Sequence, residues 1–203
     1  MKRNFTLVEL LVVTVIIGII VGAVVPAFTR LMTGNAVSYG LRMTTSQLNM
    51  ARVEACARRR FVAVVFPDSS FSGDIIGYRC AFRSCFVEKN TSGDYEFKEW
   101  VPSTKWEYLP KGAYFGEDTV LPLEVKDVTD EDGLLTSGTH NIRAVIFSAS
   151  GRAANKTSFE VVVREGVVTD NATVTRNKNA DDELTDNKLT AKVNKYTGGI
   201  HTE

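Results

Sequence analysis

The sequence contains few of the residues that usually build metal centres and catalytic sites. Its 203 residues include only two histidines and three cysteines. His140 and His201 lie far from the cysteines in the sequence and there is no second cysteine pair, which argues against zinc. A Gly-rich phosphate loop, a nucleophile elbow and a His-Glu-x-x-His helix are also missing from the sequence. We therefore expect no catalytic residues, no metal, no cofactor and no enzymatic activity.

An excess of charge of one sign is also lacking. The 24 lysines and arginines are balanced by 24 aspartates and glutamates. Proteins that bind nucleic acid usually show a basic domain or stripe, so nucleic acid is not expected as a partner. The three arginines at positions 58–60 are better explained as the last turn of a helix, where positive charge offsets the helix dipole.

What the sequence does contain is one long apolar run near its amino end. Residues 5–28 read FTLVELLVVTVIIGIIVGAVVPAF and follow the basic pair Lys2 and Arg3. A helix crosses a bilayer core with about 20 apolar residues, so this run is long enough to span a membrane. The basic pair predicts a short cytoplasmic amino end and an exported remainder.

Glu9 distinguishes this run from simpler apolar segments. A secretory signal peptide has an apolar core of only about 7–15 residues before its cleavage site. Neither such a signal nor a plain membrane anchor explains a carboxylate at position 9. An unpaired carboxylate in lipid costs several kcal/mol, so Glu9 is predicted to have a functional partner, such as the amino group of another chain.

The opening motif K-R-N-F-T-L-V-E-L-L resembles the processing signal of type IV pilins and type II secretion pseudopilins. The resemblance implies that a prepilin peptidase removes a leader, residues 1–4, between Asn4 and Phe5, and that Phe5 is then N-methylated. Asn4 stands where the family usually has glycine. By the same resemblance Glu9 is the assembly carboxylate, and Pro26 occupies the position of a helix-kinking proline.

The rest of the chain is predicted to form an α+β domain. Residues 29–60 are predicted to continue the helix as an amphipathic segment. Six positions spaced alternately by four and three residues share one helical face: Val37, Leu41, Thr44, Leu48, Ala51 and Ala55. Residues 61–203 alternate between turn signals and β-rich runs, and these runs lie at 61–66, 75–82, 85–87, 95–101, 141–147, 157–164 and 188–196. This pattern predicts an antiparallel sheet, or two sheets, packed on the helix.

Two further segments resemble the H-class minor pseudopilins and the T-type minor pilins. One is the helix end L-N-M-A-R-V-E-A-C-A-R-R-R, and the other is the F-x-x-x-G element formed by Phe147 and Gly151. Some T-type relatives bind DNA through arginines in a carboxy-terminal turn. Here that turn, residues 197–203, contains no arginine.

The cysteines and one acidic loop leave alternatives open. Cys80 and Cys85 are close in the sequence, and an exported compartment permits oxidation, so a Cys80–Cys85 disulfide with Cys56 free is the first choice. Cys56 paired with either of the others, or three reduced cysteines packed as small apolar residues, are the alternatives. The acidic segment 126–133 fails the EF-hand pattern, although a looser calcium site stays open.

The sequence therefore favours a minor pilin or pseudopilin. Its expected partners are other pilin subunits, the prepilin peptidase, the membrane and an inner-membrane assembly platform. It is expected first in the bacterial inner membrane as a single-pass protein with an exported carboxy-terminal domain, and then in a pilus or pseudopilus. A pilus-tip module that binds DNA or a surface, and a membrane-anchored protein of another function, are the alternatives.

Overall fold

The computed structural model describes residues 7–67, 79–129, 139–154, 158–168, 174–175 and 187–203, with backbone only at 23–34, 167–168 and 174–175. It contains one helix, α1, Leu7–Arg58. The strands are β1 Phe61–Val65, β2 Ala81–Lys89, β3 Tyr95–Trp100, β4 Glu107–Tyr108, β5 Ala113–Phe115, β6 Leu123–Val128, β7 His140–Phe147, β8 Phe159–Glu165, β9 Val167–Val168, β10 Val174–Thr175, β11 Lys188–Val193 and β12 Ile200–Thr202. The predicted α+β class is confirmed.

Helix α1 is continuous over 52 residues and covers nearly all of the region in which a helix was predicted. Its second half packs on the domain through the predicted face, whose six members are all buried: Val37, Leu41, Thr44, Leu48, Ala51 and Ala55. The exposed side carries Ser38, Arg42 and Asn49. Burial of one stripe against the sheets is what stabilises a helix of this kind in water.

Five strands close into a ring. Strand β1 pairs with both β7 and β2, and the order continues from β7 through β6 and β3 back to β2. The side chains that point into the ring form one apolar cluster, here called the ring core: Ala63, Val65, Cys85, Val87, Tyr95, Val125, Val128, Ile142, Ala144 and Ile146. Side chains along β1 alternate between the two faces of the sheet, so Val62 and Val64 point away from the ring core and toward α1.

A second sheet, in the order β12-β11-β8-β5, covers α1 from another side. Its inward residues include Phe159, Val161 and Val163 of β8 and Ala191 and Val193 of β11. Together with the buried face of α1 and the outer side of β1, β2 and β7, they form the helix core. The domain thus has two apolar cores, and three strands separate them.

The structure corrects several details of the predicted sheet. Strand β3 runs parallel to β6, so the large sheet is mixed and not fully antiparallel. The β-rich runs predicted to end at Phe82 and to begin again at Cys85 form one strand, β2. Residues 126–128, expected in an acidic loop, belong to β6, where Lys126 pairs with Glu96 of β3 and Val128 pairs with His140 of β7.

Candidate functional site

The largest exposed apolar surface of the described chain lies on the first half of α1. Twelve large hydrophobic side chains between positions 7 and 21 are exposed, from 48% at Val12 and Val13 to 81% at Leu7. Because the domain contacts α1 only through its second half, nothing in the described chain covers them. A contiguous apolar surface of this extent is typical of a membrane or protein-binding segment. We call residues 7–22 the apolar half of α1.

Glu9 lies in the first turn of α1, among these exposed apolar side chains. A carboxylate near a helix amino terminus is favoured by the helix dipole. Gly18 and Gly22 lie on the same segment, and a Cβ atom built at either would meet no atom within 4 Å. Packing within this chain therefore does not require glycine at these two positions. Both remain available for close approach of another helix.

Three predicted site residues have side chains outside the described set. Asn4 and Phe5, the predicted processing and N-methylation site, lie outside the described residues. The backbone of α1 continues as helix through Pro26, whose side chain lies outside the described set. When only the described residues are considered, no helix has both the length and the apolar character needed to cross a membrane.

All three cysteines are free, so the structure does not contain the predicted Cys80–Cys85 disulfide. Strand geometry gives the reason. At about 3.3 Å per residue, Ala81 and Cys85 alone are about 13 Å apart along β2, whereas bridged Cα atoms lie about 4.4–6.8 Å apart. The Cys85 side chain is buried in the ring core. Burial raises the pKa of the Cys80 thiol to about 12 and raises that of Cys85 as well.

The end of α1 meets the F-x-x-x-G element and the carboxy-terminal turn. Gly151 has φ +74°, and a Cβ atom there would lie 2.7 Å from the Cys56 sulfur. Arg52 Nε donates a hydrogen bond to the Gly151 carbonyl oxygen at 3.0 Å. Gly198, with φ +65°, packs directly on that same carbonyl group. Only glycine fits at both positions, since the backbone conformation and the space each exclude a side chain.

The carboxy-terminal strand β12 forms one edge of the second sheet. Among the described strands it pairs with β11 alone, and the Glu203 amide and carbonyl both bond to Thr190, at 2.9 Å each. Lys192 Nζ forms an ion pair of 2.7 Å with the Glu203 carboxylate, so the positive charge of Lys192 is neutralised beside β12. Beside the edge, a groove of about 470 Å³ lies between β12 and the polar side of α1. The groove has no local sequence signal, because residues 197–203 read as a turn and the pairing of β12 with β11 joins separate segments.

The possible calcium segment is only partly described. Lys126 lies in β6 and forms an ion pair of 2.6 Å with Asp94, while residues 130–133 lie outside the described set. Within the described ranges, no group of three or more His, Cys, Asp or Glu side chains is placed to hold a metal ion.

Comparisons with known proteins identify a matching family and two similar solved structures. Residues 42–181 match the model of a family described as type II transport protein GspH. A search of curated proteins finds no match. Similar solved structures include the type IV minor pilin FimU of Pseudomonas aeruginosa, with 12% identity, a TM-score of 0.45, and 83% of this chain and 89% of that chain covered. The minor pseudopilin EpsH from the Type 2 Secretion System of Vibrio cholerae has 10% identity, a TM-score of 0.43, and 82% and 95% covered.

Proposed function

The chain belongs to the GspH family of type II transport proteins, and from this we propose that it is a minor pseudopilin or minor pilin that assembles through helix α1. The apolar half of α1 carries the proposal, because it presents twelve exposed large hydrophobic side chains that the domain does not cover. Lipid covers them before assembly, and the helices of neighbouring subunits cover them in the filament.

Processing at the amino end is the first step of this proposal. A prepilin peptidase cuts between Asn4 and Phe5, and the new amino group of Phe5 is methylated. The other proposed partners are pilin-like subunits and an inner-membrane assembly platform. The domain is exported, and the subunit moves from the inner membrane into a pseudopilus or pilus.

Glu9 supplies the polar contact of the assembly step. In an apolar surrounding, a carboxylate requires a cationic partner, and the amino terminus of a neighbouring subunit is one that every processed subunit carries. The pair positions each new subunit along the filament axis, while apolar contacts provide most of the binding free energy.

The amino-terminal mass of the chain isolated from membranes tests processing. We expect a terminus at N-methyl-Phe5. Asn4→Gly is the matched variant and should be processed at least as completely as the natural sequence. An intact Met1, or a terminus beyond Ala23, would contradict the proposal.

Substitution of Glu9 tests assembly. We expect Glu9→Ala to lower the amount of chain in sheared filaments by at least about tenfold, because an unpaired amine in an apolar surrounding costs several kcal/mol. Thr14→Ala is the control, since it changes another polar side chain of the same run, whose hydroxyl donates a hydrogen bond to the Leu11 carbonyl oxygen within the helix. Equal filament content of the two variants would refute the role of Glu9.

A further inference from the structure

We propose that the free edge of β12 binds an extended segment of a neighbouring pilin-like subunit, which adds a fifth strand to the sheet β12-β11-β8-β5. The inference rests on the proposed function, because it requires a neighbouring subunit. It concerns a different part of the molecule from the apolar half of α1.

The hydrogen bonds of β12 show which backbone groups are available. Glu203 and Thr190 exchange both of their hydrogen bonds, and the Asn194 amide donates to the Gly199 carbonyl at 2.8 Å. Positions 199 and 203 therefore face β11. In an antiparallel pair, inward-facing and outward-facing positions alternate, so His201 also faces β11, while the amide and carbonyl groups of Ile200 and Thr202 face outward. Thr202 is paired with Ala191 and Ile200 with Val193, which are the non-hydrogen-bonded pairs of the β11–β12 ladder.

The groove beside the edge accepts the side chains of an added strand. Thr202 lies opposite Ala191, which is buried against α1, so the Thr202 side chain points to the side of the sheet that α1 covers. The groove of about 470 Å³ opens there, with Leu189, Thr202 and Glu203 on the sheet side, and the Glu203 carboxylate is paired with Lys192. Alternate side chains of an added strand would enter this space, because they repeat the two-residue period of β12.

The opposite wall of the groove favours a polar segment. It consists of helix residues Ser38, Arg42, Thr45, Ser46 and Asn49. The Thr45 hydroxyl is shielded from solvent and has no hydrogen-bond partner among the residues that the structure describes. Arg42 is exposed and takes part in no ion pair among the described residues. The occupant that fits is an extended strand with polar side chains and one carboxylate that reaches Arg42.

An extended segment fits this edge better than a helix or a lipid surface. Strand addition uses the outward backbone groups of the edge for affinity and the alternate side chains for specificity. A helix has no free backbone groups along its length to offer. Edge strands are commonly protected by shortness, by proline, by a bulge or by an inward charge; Ile200–Thr202 is short, with three residues, but contains no proline, bulge or inward charge.

Proline at position 202 is the direct test. Thr202→Pro removes an outward amide without touching a hydrogen bond to β11, and Thr202→Val keeps that amide at nearly the same volume. The full chain is expressed in cells that assemble the filament, and the ratio of filament-bound to membrane-bound chain is measured. We expect Thr202→Pro to lower this ratio by roughly five- to tenfold relative to Thr202→Val.

A charge variant and amide exchange complete the test. Arg42→Glu should lower the same ratio, whereas Arg42→Lys should retain most of it. Hydrogen exchange of the peptide 196–203 in the unmodified chain does not depend on how well a variant folds, and we expect it to be slower in filaments than in the free chain.

The outcomes separate this inference from the proposed function. Absence of the unmodified chain from filaments would overturn the proposed function and this inference together. Presence in filaments with equal behaviour of Thr202→Pro and Thr202→Val, and with equal exchange at 196–203, would overturn the edge-strand inference alone. Slower exchange in membranes that lack other filament subunits would assign the edge to a different occupant and also overturn it.

Discussion

Single residues account for the tightest packing and for the chemistry of the thiols. At the end of α1, Gly151 and Gly198 bring two turns into contact next to Cys56 and Arg52. The F-x-x-x-G element could be read from the sequence, but its contact with the second glycine could not. That contact joins positions 47 residues apart, and no local sequence pattern indicates that these two turns pack against each other.

The cysteines give a residue-scale prediction. Cys56 is exposed, Cys80 is partly buried with a pKa raised to about 12 by burial, and Cys85 is buried. Since the thiolate is the reactive form, we expect a thiol-specific reagent to label only Cys56 in the native chain. After denaturation without reductant, all three cysteines should react, as mass spectrometry can show. A chain with a Cys80–Cys85 bridge would take up only one label in both states.

At the scale of elements, local patterns predicted most of the fold. The three-and-four spacing from Val37 to Ala55 identified the buried face of α1, because helical periodicity depends only on neighbours in the sequence. Strands β1, β3, β7, β8 and β11 lie in predicted β-rich runs. Strand β6 was missed since Lys126 and Asp127 resemble a polar loop, and its pairing with β7 is what makes it a strand.

The buried face of α1 gives an element-scale prediction. Leu48 is completely buried, whereas Met50, two residues away, is 52% exposed. We expect Leu48→Ala to lower the free energy of unfolding by about 2–5 kcal/mol, since it leaves a cavity in the helix core. Met50→Ala should change it by no more than about 0.5 kcal/mol. Thermal melting in detergent measures both, and similar losses would contradict the assigned face.

At the scale of the whole molecule, the same three strands contact both apolar cores. Strands β1, β2 and β7 face the ring core on one side and the helix core on the other. The closed ring could not be predicted from the sequence, because it depends on the parallel pair β3–β6 and on β1 pairing twice. Such pairings join segments that are distant in the sequence, and the hydrophobic pattern of one strand does not determine which other strand it pairs with.

Because the ring core and the helix core have three strands in common, we expect the domain to unfold cooperatively. The only two tryptophans, Trp100 and Trp106, pack together at 5.3 Å between ring centroids next to the ring core, far from the Leu48 side of the sheet. We expect Leu48→Ala to lower the midpoint of the tryptophan fluorescence transition by about as much as the midpoint followed by circular dichroism. An unchanged fluorescence midpoint would mean that the ring unfolds independently.

The continuity of α1 from Leu7 to Arg58 has a mechanical consequence. A helix of 52 residues is about 78 Å long at about 1.5 Å per residue, and its second half is fixed to both sheets along its buried face. Tension applied at its amino end would therefore load the domain in shear, parallel to many side-chain contacts at once. Shear of this kind distributes a pull over the whole packed face, and the two glycine turns at Arg52 and Cys56 hold its far end.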